Sequence, residues 1–208
     1  MTHDVFPTQE LETRLASVQQ MMVDKGLDGL LVSVPENIYY LTGLDHWGFF
    51  AAHVLVVNQN GEMALCCRSM EKITVQNQVN NATFYGHKDH EDLADYVHQA
   101  MKDLGLAGGR IGIEKRSLFL TPRHAERIQD AVANEWLDSS GLIDDLRQVK
   151  SPLDARPLML LTRERWPRLR RSVTAPAIMK FRRHTTTKQY LMAASIRGLV
   201  FFSVLPHG

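Results

Sequence analysis

Two stretches of this chain gather side chains able to move protons or hold a metal. Asp45, His46 and His53 lie close together, and His87, Asp89, His90 and Glu91 form the run GHKDHED. Imidazole and carboxylate groups are the usual acid–base catalysts and hard or borderline metal ligands. Neither stretch has the His-Glu-x-x-His or Cys-x-x-Cys spacing that brings ligands to one point. The second run opens a predicted helix, whose N-terminal end favours Asp89, Glu91 and Asp92 electrostatically. That pattern fits a solvated helix start, with adventitious metal binding as the alternative. Cys66 and Cys67 are adjacent, so on a strand they face opposite ways and make neither a disulfide framework nor a zinc site. They read as reduced thiols packed as small apolar groups. Gly-x-Ser-x-Gly, P-loop and Gly-x-Gly-x-x-Gly motifs are absent. The expectation is therefore no catalytic residue, no metal ligand and no cofactor in this chain.

The elements that would carry these residues alternate between helical and strand patterns. Thr8 is a candidate N-cap, with Leu11, Leu15, Val18, Met21 and Met22 forming a helical stripe that ends at Gly26. LLVSV reads as a buried strand, and Pro35 opens a helix carried by NIYYLTG to Gly43. AAHVLVVN and MALCCR flank Asn58-Gln59-Asn60-Gly61, a hairpin signature. A helix over 69–78, a strand near 82–85 and a helix over 90–104 follow. RIGIEK reads as a strand of alternate burial, Thr121-Pro122 as the start of a helix to about residue 134, and 136–139 as a last strand. A helix over 141–152 carries Leu142, Ile143, Leu146 and Val149 on one face and closes at Lys150-Ser151-Pro152. This alternation predicts an α/β domain in three layers, with a mixed central sheet covered by helices.

Of the 208 residues, 44% are apolar and 23% charged, as in an ordinary globular protein. No run reaches the ~18 apolar residues of a membrane helix, and MTHDVFPTQELETR resembles neither a secretory signal nor a transit peptide. A cytoplasmic protein without a membrane partner is expected. The net charge of +1 hides a split. Residues 1–150 hold 13 Lys and Arg against 21 Asp and Glu, whereas residues 151–208 hold 11 against 2.

The words RLASVQQMMVDKGLDGLLVSVPENIYYLTG, GLAGGRIGIEK and LIDDLRQVKSP, in this order, resemble the N-terminal domain of the creatinase, aminopeptidase P and prolidase superfamily. The resemblance spans roughly residues 10–152, and LTGLDHWGFF is most like the creatinase and ectoine-hydrolase branch. It implies a domain at 1–152 with a linker helix at 141–152, and it places the chemistry elsewhere. In the peptidases a following C-terminal domain binds two divalent metal ions, whereas creatinase uses a histidine base there without metal. The N-terminal domain shapes the substrate entrance, often across a homodimer. On that resemblance Asp45, His46, Trp47 and Phe49 are the candidate entrance residues, acting in trans on a partner subunit.

After Pro152 the family pattern breaks. The family continues with a long amphipathic helix, but residues 153–208 hold nine arginines, two lysines and no sustained period. In the frame beginning one base earlier, Met179-Lys180 forces glutamate and Met192-Ala193 forces glycine. With wobble bases chosen freely, residues 179–202 permit a Gly-Gly-Glu-Tyr-Pro-Gly run like that of the early catalytic domain of creatinase and ectoine hydrolase. The expectation is a truncated hydrolase whose basic tail is out of frame, non-native and disordered, with Trp166, Phe181, Phe201 and Phe202 exposed. Two other readings stand beside it. One is an interaction module whose basic tail binds nucleic acid, against which the poverty in lysine, glycine and serine argues. The other is an enzyme with an unrecognised site on the α/β domain.

Overall fold

Apolar residues returning every three or four positions make the first element an amphipathic helix. α1 (Thr8–Lys25) buries Leu11, Val18 and Met22 and ends at Gly26, whose left-handed backbone (φ 62°) glycine adopts freely. Thr8 is not the N-cap. Pro7 holds that position, and its carbonyl accepts the Glu10 and Leu11 amides. The computed structural model describes residues 6–45, 51–130 and 133–154. After α1 come β1 (Gly29–Val32), α2 (Pro35–Thr42), β2 (Val54–Asn58) and β3 (Met63–Arg68). A 3-10 turn (Ser69–Glu71) leads into α3 (Lys72–Gln78), then β4 (Thr83–His87) and α4 (Leu93–Asp103). β5 (Arg110–Ile113), α5 (Pro122–Asp130), β6 (Glu135–Asp138) and α6 (Leu142–Gln148) complete the order.

The strands form one mixed sheet in the order β4-β3-β2-β1-β5-β6. β2 and β3 are the expected hairpin, antiparallel across a turn at Gly61, and β2 is also antiparallel to β1. Helical crossovers make β1–β5, β5–β6 and β3–β4 parallel, with Leu31 opposite both Val56 and Ile113. Apolar clusters lie on both faces. On one, Val18, Met22, Ile38, Leu41, Leu142 and Ile143 from α1, α2 and α6 cover Leu30, Val32, Leu55 and Leu65. On the other, Val97, Met101 and Ile128 from α4 and α5 cover Leu31, Val56, Ile111 and Ile113. Each such side chain taken fully out of water contributes about 1.5–3 kcal/mol, so two layers of them hold the sheet. Cys66 and Cys67 fall in opposite clusters, as strand alternation requires. The fold is the three-layer α/β arrangement that the sequence predicts.

Several details differ. β5 does not alternate, because both of its neighbours are strands and both faces are covered. Ile111, Gly112 and Ile113 are all buried. A Cβ at Gly112 would lie 2.6 Å from Leu30 Cδ2 and 2.8 Å from Ser139 Cβ, which explains the glycine there. α4 starts at Leu93 rather than residue 90, since Asp92 caps it by accepting the Ala94 amide at 2.9 Å. α6 stops at Gln148. Val149 turns extended (φ −85°, ψ 106°) and is 57% exposed, so it leaves the apolar face assigned to it.

By internal contacts the chain divides into Met1–Val149 and Lys150–Gly208. In the second unit the Ser151 hydroxyl accepts the Asp154 amide at 3.2 Å, and the Asp154 carboxylate accepts the Ser151 amide at 3.1 Å. This reciprocal pair starts a new helical turn at Pro152. The expectations for residues 155–208 lie outside the described residues.

Candidate functional site

α2 is the element that presents Asp45, and both of its ends are tied down. Pro35 occupies the first turn and fixes its backbone there. Val34, at the N-cap, offers no side-chain cap. A carboxylate just past β5 instead accepts the amides of the two residues that lead into the helix. Glu114 Oε2 accepts the Ser33 amide at 2.6 Å and the Val34 amide at 2.8 Å, while Oε1 accepts Asn37 Nδ2 at 2.6 Å. Glu114 is 5% exposed. Burial pushes its carboxyl above the usual range, the three hydrogen bonds pull it back, and the Asp144 charge adds to the rise. The other side of the Asn37 amide faces α6, where Oδ1 accepts Arg147 Nη1 at 2.9 Å. Asp144 lies 3.3 Å from the same nitrogen.

At the far end Gly43 is left-handed (φ 76°) and donates to Tyr39 O at 2.8 Å. The last carbonyls of α2 find side-chain donors: Arg14 Nη1 reaches Tyr40 O at 3.1 Å, and Asn81 Nδ2 reaches Leu41 O at 2.9 Å. Arg14 is 4% exposed, paired with Glu10 at 3.0 Å, and its guanidinium lies over the rings of Phe6 and Tyr40 at 4.0 and 4.7 Å. The Asp45 amide donates to Gln78 Oε1 of α3 at 2.7 Å, so Asp45 leaves a fixed platform with its side chain exposed. His46, Trp47 and Phe49 lie outside the described residues, as does Phe50. His53 is 2% exposed, with Nδ1 2.9 Å from Ala51 O, so it is buried while Asp45 faces out.

The acidic run near α4 is held both by local bonds and by arginines from β3 and α5. Arg68 meets Asp89 at 2.8 Å, Arg127 meets Asp92 at 2.9 Å, and Glu91 accepts both the Lys88 amide and the Tyr96 hydroxyl. The hydrogen bond from Tyr96 and then that from the Lys88 amide hold the Glu91 carboxyl below its ordinary range. An open depression of about 670 Å³ lies over the run, between its carboxylates and Arg123 and Arg127. It is on the α4–α5 side and touches none of the residues that fix α2. Among the described residues no group of three His, Cys, Asp or Glu is placed to hold a metal ion.

Sequence reasoning passed over Glu114, Asn37, Arg147, Gln78, Asn81 and Arg14. Glu114 and Arg147 stand inside the words RIGIE and LRQVKSP, yet nothing local reveals that Glu114 meets Ser33 across 81 positions or Arg147 meets Asn37 across 110.

The sequence profile of the Creatinase/Prolidase N-terminal domain matches residues 14–149. The chain belongs to that family. It is 26% identical over 157 residues to the ectoine hydrolase of Halomonas elongata, covering 71% of this chain and 39% of that protein. It is 22% identical over 147 residues to the creatinase of Bacillus sp. strain B-0618, covering 70% and 35%. The crystal structure of a dipeptidase from Pyrococcus horikoshii OT3 superposes with a TM-score of 0.60 at 26% identity, over 72% of this chain and 40% of that one. The chain thus spans about 40% of the length of the relatives it matches. Those relatives act on different substrates, so the shared domain alone does not name one. No helix among the described residues is long and apolar enough to cross a membrane.

Proposed function

We propose that residues 1–152 are a non-catalytic domain of a C–N bond hydrolase of this family, and that they present an entrance segment beginning at Asp45. The observation that carries the reading is α2, held at its base by Glu114 and at its tip by Arg14, Asn81 and Gln78. Such a platform positions; it offers no paired acid and base. The parent's substrate is a small amide or amidine such as ectoine or creatine, toward which the Asp45-x-Trp47 stretch leans, or an Xaa-Pro peptide. Two divalent metal ions, where the parent enzyme uses them, belong to the catalytic portion that this domain does not match. A homodimer would bring Asp45, His46, Trp47 and Phe49 to a partner's entrance. The codons that residues 179–202 permit are compatible with reading the basic tail as the catalytic domain out of frame.

Two measurements test this. Resequencing codons 145–165 and onward past the stop should reveal a one-base change that restores an open frame into the Gly-Gly-Glu-Tyr-Pro-Gly run. The purified 208-residue chain, with manganese or zinc added, should turn over neither ectoine, creatine nor an Xaa-Pro dipeptide. A confirmed frame with nothing family-like after it, or turnover by this chain, would end the reading. Binding to DNA that weakens with salt and vanishes on deleting residues 153–208 would favour the basic-tail module instead.

A further inference from the structure

We propose that Arg147 is a positioning residue for Leu44 and Asp45 at the tip of α2, acting on them through Asn37, Glu114 and the body of the helix. What that tip does rests on the function proposed above; the mechanical coupling does not. The chain of groups alternates in sign and in hydrogen-bonding sense. The Asp144 carboxylate faces the Arg147 guanidinium, which donates to Asn37 Oδ1; Asn37 Nδ2 then donates to Glu114, which accepts from the Ser33 and Val34 amides. The amide in the middle can serve only one way round. Turned over, it would set Nδ2 against the guanidinium donors and Oδ1 against a carboxylate. The guanidinium therefore fixes the orientation of Asn37, and Asn37 fixes one oxygen of the buried carboxylate that holds the base of α2.

α2 is a short rod. Eight residues at 1.5 Å each span about 12 Å, with Ile38 and Leu41 in the same apolar cluster as Leu142 and Ile143 of α6. A helix so packed moves as one body, and a tilt at its base appears at its tip. The tip is where Leu44 donates to Thr42 Oγ1 at 3.2 Å and Asp45 to Gln78 Oε1 at 2.7 Å. α6 is also the last element before the division at Val149. One side chain on it thus ties the last helix of the domain to the tip of α2 at Leu44 and Asp45. Asp144 and Arg147 are partly exposed, at 32% and 26%, which leaves the relay open to substitution without emptying the core.

Amide hydrogen exchange on the full 208-residue chain tests the coupling. Arg147→Met keeps the stem and removes the donors. It should speed exchange at Leu44 and Asp45 about tenfold while leaving Leu55, Val56 and Val57 of β2 unchanged. Arg147→Lys, which keeps the charge and a donor, should restore most of the protection. Equal acceleration in β2 would show a general loss of stability and overturn the proposal. Unchanged exchange at Leu44 and Asp45 would overturn it as well, as would failure of the lysine variant to rescue. Because the readout needs no turnover, its failure is separable from failure of the hydrolase reading, which the gene sequence and the activity assay decide.

Discussion

The start of α4 and the base of α2 are the two places where this domain concentrates charge, and they are built in opposite ways. The run at residues 87–92 is dense and solvent-accessible, with Glu91 closed by Lys88 and Tyr96 nearby and Asp89 and Asp92 met at the surface by Arg68 and Arg127. The base of α2 turns on one buried carboxylate, Glu114, 5% exposed, whose partners lie 77 to 81 positions away. Titratable side chains in a row at the surface take whatever amide, hydroxyl or arginine lies near, and water serves the rest. A lone buried carboxylate has to be met by separate elements, and so it joins them.

The widest separation between the two regions should come from Glu114→Gln. A glutamine can offer its oxygen to Ser33 and Val34, but its amide then opposes Asn37 Nδ2, donor to donor. With buried donors orphaned, we expect a loss of about 3 kcal/mol, read by urea unfolding. The pH dependence adds a sign. The Glu114 carboxyl is raised in the folded state, so its contribution is fully present below its unfolded value near 4.5 and is lost as pH rises through the raised value. The deficit of Glu114→Gln relative to wild type should therefore widen as pH is lowered toward 4.5. Glu91 is lowered, so its contribution is present above its unfolded value and fades as pH falls through the folded one. The difference between wild type and Glu91→Gln should shrink on acidification. Movement of both differences in the same direction would erase the contrast.

Smaller effects should come from the α4 start. Asp92→Ala removes the cap on Ala94 and the pair with Arg127, a loss of about 1 kcal/mol in the same unfolding assay. Asp89→Asn breaks an ion pair whose carboxylate is 75% exposed and should stay within about 0.5 kcal/mol. A deficit for Asp89→Asn rivalling that of Glu114→Gln would mean that the exposed run is a built site after all.

The same contrast explains what could be read in advance. The stripe of Leu11, Val18 and Met22, the hairpin around Gly61 and the continuous apolar strands are periodic or local signals, and they led to the right elements. Arg14 broke no period, since a buried guanidinium between Phe6 and Tyr40 occupies a position that a surface residue could hold in the sequence. β5 was misjudged because Gly112 carries no side chain to show that both faces are covered. Val149 kept helical spacing with Leu146 but fell past the last turn, where spacing no longer governs direction. Asp45 itself is exposed, while Gln78 and Asn81, which hold the end of α2 beside it, are ordinary amides on a neighbouring helix and loop.

The adjacent thiols of β3 offer a way to watch the two layers separately. Burial pushes Cys66 far up and Cys67 up to about 12, so neither is nucleophilic while its layer is shut. Cys66 lies under α4 with the Val97 and Met101 cluster, and Cys67 under the α1–α2–α6 side. A thiol reagent added to the native protein therefore reads two clocks from neighbouring atoms of one strand. If the helical layers open independently, the two cysteines label at different rates. If the sheet sheds both layers in one event, they label together.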